Sequence, residues 1–65
     1  MKNKVRELRE EMNLTQAELG KLAGVSRQAI NAIETGKFDP SIRLAHALAK
    51  IFSKTIEEVF DFEAE

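Results

Sequence analysis

The sequence contains no cysteine, tryptophan or tyrosine, and only one proline and one histidine among its 65 residues. Without cysteine there is neither a disulfide framework nor a thiolate metal site to reinforce so short a chain. The single histidine, His46, stands between Ala45 and Ala47 with no second ligand near it, so no metal site is expected. The glycines at 20, 24 and 36 are scattered and form no Gly-rich phosphate loop. Two adjacent acid pairs, Glu10-Glu11 and Glu57-Glu58, point to different sides of a helix and do not converge as a general acid and base must. No enzymatic activity, cofactor or small-molecule ligand is therefore expected. No apolar run approaches the roughly 18–20 residues of a membrane span. The start, Met1-Lys2-Asn3-Lys4-Val5-Arg6, has charge but no apolar signal-peptide core, so a cytoplasmic protein is the expectation.

What is present is a charge division and dense helix punctuation. Residues 1–54 hold ten Lys and Arg against six Asp and Glu, a net of +4, whereas residues 55–65 hold five acids and no base. A basic body with an acidic tail suggests that one end meets phosphate while the other points away from it. The chain forms one domain, 1–65, and buries only about 60% of its unfolded surface. Association between copies is one remaining source of stability.

Val5, Leu8 and Met12 recur at helical spacing and predict a first helix over 3–12, broken at Asn13-Leu14. Thr15-Gln16-Ala17-Glu18 reads as a capping box opening a second helix over 16–23, which Gly24 ends. Ser26 caps a third helix over 27–35, ended by Gly36. Ser41 caps a fourth over 42–52, and Thr55-Ile56-Glu57-Glu58 repeats the capping box for a short fifth helix to Phe60. Phe60-Asp61-Phe62-Glu63 alternates at period two and can pair with residues 1–3 as an antiparallel ribbon. The expected core is Val5, Leu8, Leu14, Leu19, Leu22, Val25, Ile30, Ile33, Leu44, Leu48, Ile51 and Val59, with Phe38, Phe52 and Phe60 at its margins.

Residues 16–35 are two short helices joined by Ala23-Gly24-Val25-Ser26. So tight a turn needs positive φ at its glycine and a small residue where the helices cross. Gly24 supplies the first and Gly20 the second, the latter expected to touch the third helix closely.

The run Leu14-Thr15-Gln16-Ala17-Glu18-Leu19-Gly20, then Val25-Ser26-Arg27-Gln28-Ala29-Ile30-Asn31-Ala32-Ile33-Glu34-Thr35-Gly36 and Pro40-Ser41, resembles the Cro/cI-type (XRE) helix-turn-helix family, which includes the phage repressors. The resemblance extends over nearly the whole chain, and the tail Ile56-Glu57-Glu58-Val59-Phe60 is similar to that of small stand-alone members that dimerise through their C-terminal parts. It implies an all-α, five-helix, lambda-repressor-like domain that binds double-stranded DNA. The third helix would then be the recognition helix. Arg27, Gln28, Asn31 and Ala32 would read base edges: arginine can bond guanine bidentately, glutamine or asparagine adenine, and alanine can meet a thymine methyl. Gln16, at the start of the second helix, would meet a phosphate, with Ser26, Thr35, Lys37 and Arg43 as further phosphate contacts. Arg9 and Glu34 match the family's partly buried structural salt bridge.

The function expected on these grounds is a sequence-specific transcriptional regulator. It would be a repressor binding a palindromic operator as a homodimer, with segment 55–65 pairing the copies and Phe60 and Phe62 as anchors. The alternative is an antitoxin-type interaction module that binds a toxin and represses its own operon. It would share the same recognition helix and differ by a surface for a second protein.

Overall fold

The computed structural model describes residues 1–63. Residues 64 and 65, the end of the tail assigned above to pairing, lie outside the described residues. In chain order the elements are β1 (Lys2–Asn3), α1 (Val5–Glu11), α2 (Gln16–Ala23), α3 (Arg27–Glu34), α4 (Ile42–Ile51), α5 (Ile56–Val59) and β2 (Phe60–Asp61).

Each of the last four helices opens on a hydroxyl that the sequence marks. Ser26 and Ser41 accept from the N–H of Ala29 and Leu44 at 3.1 Å. Thr15 and Thr55 form full capping boxes, each accepting from the N–H of the glutamate three residues on while that carboxylate accepts from the threonine N–H. At the second box the Thr55 N–H holds the Glu58 carboxyl below its ordinary pKa, and the Thr55 hydroxyl and the charges of Lys54 and Lys4 add to this.

The first four helices also end alike. Asn13, Gly24, Gly36 and Ser53 each take positive φ. Each donates its N–H to the carbonyl three residues back, and the next residue donates to the carbonyl five back, as in Leu14 to Arg9 (3.1 Å) and Val25 to Gly20 (2.8 Å). These paired bonds satisfy carbonyls that a helix end otherwise leaves orphaned. Glycine fits the left-handed position at no steric cost; Asn13 and Ser53 hold it against the Cβ penalty.

The ribbon is present but shorter than expected. β1 and β2 pair antiparallel with Lys2 opposite Asp61 and Asn3 opposite Phe60, and the pairing stops before Phe62. Its formation shortens α1, which starts at Val5 and not at 3. Asn3 lies extended, its side-chain carbonyl accepting from the Val5 N–H (3.0 Å) and its amide donating to the Ile33 carbonyl (2.9 Å). Lys4 N–H bonds the Val59 carbonyl at 2.8 Å, so the tail is held against the start of the chain.

The core comprises Val5, Leu8, Leu19, Ile30, Ile33, Ala45, Leu48, Ala49, Phe52, Val59 and Phe60. Three expectations are corrected here. Leu22 is 60% exposed. It lies about a quarter-turn off the inward face of α2 formed by Leu19, Gly20 and Ala23. Phe52 and Phe60 are buried in the core and not at its margin, because the ribbon folds the tail back over it. Phe60, at 1% exposure, is consequently unavailable as an anchor between copies. The small residues Ala45 and Ala49 were missed. They share the inner face of α4 with Leu48 and Phe52, where α4 meets α2 and α5. Leu14, Val25, Leu44 and Ile51 pack against this core half-buried.

Gly20 is required by backbone and not by the third helix itself. A Cβ there would stand 2.7 Å from the Val25 carbonyl oxygen and 3.2 Å from the Ser26 carbonyl carbon and oxygen. Backbone atoms in a capped turn cannot swing aside as a side-chain end would. Alanine would gain about 1 kcal/mol of helix propensity, but the overpacking costs about 1–3 kcal/mol. Gly20→Ala is therefore expected to lower the melting temperature by several degrees, about 4–8 °C for each net kcal/mol. An unchanged or raised thermal midpoint would show that the turn yields freely.

Candidate functional site

α3 is two-faced by construction. Ile30 and Ile33 are fully buried against the core, and Arg27, Gln28 and Asn31 are exposed. Ala32 lies half-buried at the boundary. The Ser26 cap fixes the helix start, so Arg27 and Gln28 occupy its first turn, with Asn31 one turn on. The result is a guanidinium and two carboxamides on the outer side of a helix whose other side is locked in place.

α2 packs directly on α3, and the angle between them rests on two features. One is the Gly20 contact with the turn. The other is polar. Arg9 reaches from α1 to α3: its Nε donates to Glu34 Oε2 at 2.7 Å and its Nη2 to Glu34 Oε1 at 3.3 Å. Its Nη1 donates to the Leu14 carbonyl at 2.7 Å, which ties down the α1–α2 loop. The Glu34 side chain is only 3% exposed and that of Arg9 11%. The Glu34 hydrogen bond holds the Arg9 guanidinium in its charged form beyond the ordinary arginine range.

A third donor meets the same carboxylate. Gln16 Nε2 bonds Glu34 Oε1 at 2.9 Å, so the first residue of α2 is attached by its side chain to the last residue of α3. Sequence reasoning placed Gln16 at the helix start and Glu34 in an ion pair but did not link them. Both Asn3, which ties β1 to the end of α3, and this link went unseen. For the Asn3–Val5 bond a signal existed, since an Asn side chain can accept from the backbone N–H two residues on.

The other candidates divide. Lys37 and Arg43 are exposed, the first just past α3 and the second in the first turn of α4. Ser26 accepts from Ala29 N–H and keeps its own hydroxyl proton to donate. Thr35 differs: its hydroxyl donates to the Asn31 and Ala32 carbonyls at 3.0 and 3.3 Å, and its N–H bonds Asn31 as well. Its donors are committed to the end of α3. Phe62 is 53% exposed and, with Ile42 (73%), Ile56, Ala49 and His46, lines a groove between α4, α5 and the tail. Lys50, Lys54 and Glu57 also line it. Among the described residues no group of His, Asp and Glu could hold a metal ion, and no helix is long and apolar enough to cross a membrane.

A buried carboxylate left without its guanidinium, or the reverse, costs several kcal/mol. Glu34→Ala is expected to destabilise by about 3–5 kcal/mol, whereas Glu10→Ala, which removes an exposed pair with Arg6 and a 3.9 Å contact with Arg9 but leaves Arg9 on Glu34, should cost about 0–1 kcal/mol. Thermal melts of the two variants check this; coincident curves would contradict it.

Comparison with known proteins places this geometry. A helix-turn-helix family model matches residues 5–59. An HTH-type transcriptional regulator of Methanocaldococcus jannaschii is 54% identical over 63 residues, covering 97% of this chain and 96% of the relative. Another, YgzD of Bacillus subtilis, is 48% identical over 65 residues, covering 100% of this chain and 98% of that protein. Among solved structures, the P22 c2 repressor protein in complex with a synthetic operator superposes with a TM-score of 0.81 at 31% identity, covering 83% of this chain and 82% of that one.

Proposed function

Since the chain belongs to the helix-turn-helix (XRE-type) family of DNA-binding transcriptional regulators, which are not enzymes, we propose that it is a repressor that binds a near-palindromic operator as a homodimer, with α3 in the major groove. The observation that carries this reading is the outward face of Arg27, Gln28 and Asn31 at the start of a helix whose inner face is core. In this docking mode those positions meet base edges, and each bidentate contact contributes about 1–3 kcal/mol of discrimination. Lys37, Arg43, Ser26 and Gln16 hold the phosphate backbone on either side and set register without reading sequence. Thr35 is left out of that set because its donors are engaged within α3. The operator-bound P22 c2 repressor, similar in fold, supports the repressor reading. An operator occupied in this way is closed to other proteins.

The pairing surface is the α4–α5 groove. Phe62 and Ile42 put exposed apolar surface there beside half-buried Ile56, and Lys50, Lys54 and Glu57 in its lining supply both signs of charge for a self-complementary contact. Phe62 keeps its anchoring role and Ile42 takes that of Phe60. Two recognition helices about 34 Å apart would then match one turn of DNA.

A binding selection from random duplexes tests the whole reading. The expected product is one symmetric site with half-sites about 10 base pairs apart; failure to enrich any sequence would refute it. On that site Gln28→Ala should relax preference at a single base position, and Lys37→Ala should weaken all duplexes alike and flatten the salt dependence. Identical behaviour of the two variants would show that the roles are misassigned. By sedimentation at micromolar concentration the chain should run at twice its 7.3 kDa mass. Phe62→Glu, at an exposed position, should return it to monomer without unfolding it; a wild-type monomer would refute the dimer.

A further inference from the structure

We infer that Glu34 is a positioning residue for DNA binding: through one hydrogen bond it holds the Gln16 amide in the orientation in which that amide reaches a phosphate. The inference rests on the phosphate role proposed for Gln16 and adds a function to a residue otherwise explained by its ion pair.

The Glu34 carboxylate has about four lone-pair sites. Arg9 fills two, one on each oxygen, and neutralises the charge. The Gln16 bond to Oε1 is thus additional to the ion pair. Its effect falls on Gln16. An exposed glutamine samples several rotamers, and freezing one at the moment of binding weakens affinity by about two- to tenfold. Here the side chain is half-buried and already tethered, so that ordering is completed on folding. The amide carries two N–H groups. One is on Glu34, and among the described residues no bond engages the other.

The helix terminus beneath this amide is partly offset. The N–H groups of Gln16 and Ala17 begin α2 and have no partner within the helix. The Thr15 hydroxyl, however, takes the Glu18 N–H at 3.0 Å, and the Glu18 carboxylate sits 2.8 Å from the Thr15 nitrogen. That carboxylate offsets part of the positive end of α2 and leaves a larger share of any anion contact to the side chain. Arg9 performs a second service. Without it, Glu34 would repel the phosphate that Gln16 is placed to meet.

The test is a double-mutant cycle on the selected operator duplex, under conditions where denaturation curves show every variant folded. Glu34→Gln should weaken binding two- to tenfold more when Gln16 is present than in a Gln16→Ala background, where only the change at the Arg9 pair is felt. Equal losses in both backgrounds would overturn the inference. If Gln16→Ala alone leaves affinity and salt slope unchanged, the phosphate role fails and the inference falls with it. If Gln16→Ala weakens binding and folded Glu34→Gln does not, only the inference is overturned. The wild-type protein gives a readout independent of folding effects. Side-chain NMR should find the Gln16 amide rigid and in one rotamer without DNA, unlike the exposed Gln28; averaging like that of Gln28 would overturn the positioning role.

Discussion

The pairing of Arg9 with Glu34 is the constraint on which the arrangement of the first three helices depends. A carboxylate exposed by only 3% must be neutralised and hydrogen-bonded, or it would cost several kcal/mol. The chain meets that demand with donors from two other helices, Arg9 of α1 and Gln16 of α2, while Arg9 also fastens the loop between them. A 65-residue domain has little apolar area with which to define helix angles. A directional contact does so more sharply than packing of similar size, because its geometry tolerates small deviations only. α3 is thereby oriented from its last residue, while the Ser26 cap fixes its first.

A second constraint acts from the other end of the turn. Gly20 leaves room for the Val25 and Ser26 carbonyls, and the Gly24 conformation reverses the chain beside them. Close approach on one side and a polar tie on the other hold α2 and α3 as one body. The surfaces around that body differ in character. The outer side of α3 carries long planar donors, the α4–α5 side carries exposed apolar residues, and the acidic tail is folded back by the ribbon against the start of the chain. The tail's acids therefore lie beside Lys2, Lys4 and Lys54, so the charges divided in the sequence are brought together at this end of the fold.

Most of the secondary structure was legible because it is marked locally. Thr15, Ser26, Ser41 and Thr55 each open a helix, and Gly24 and Gly36 each follow the end of one. Such signals act within a few residues of themselves, so they survive in a one-dimensional reading. The α3 face was legible for the same reason, since spacing alone separates Arg27, Gln28 and Asn31 from Ile30 and Ile33. Ser53 is the local exception: nothing in its residue type announces a left-handed conformation, which the paired bonds at the end of α4 enforce.

The helices, their caps, the tight turn and the outward side chains of α3 follow from residue order alone, because each depends on neighbours along the chain. The fates of Phe60, Leu22, Ala45 and Gln16 depend instead on how distant elements pack together. Phe60 is core because a two-residue ribbon turns the tail inward, and Leu22 is exposed because, among the described residues, no element covers that side of α2. The small side chains of Ala45 and Ala49 carry weak hydrophobic signals and become core only where neighbouring helices close over them. Gln16 meets Glu34 across 18 residues of sequence. A contact of that kind follows from the helix-crossing angle, which no local pattern encodes.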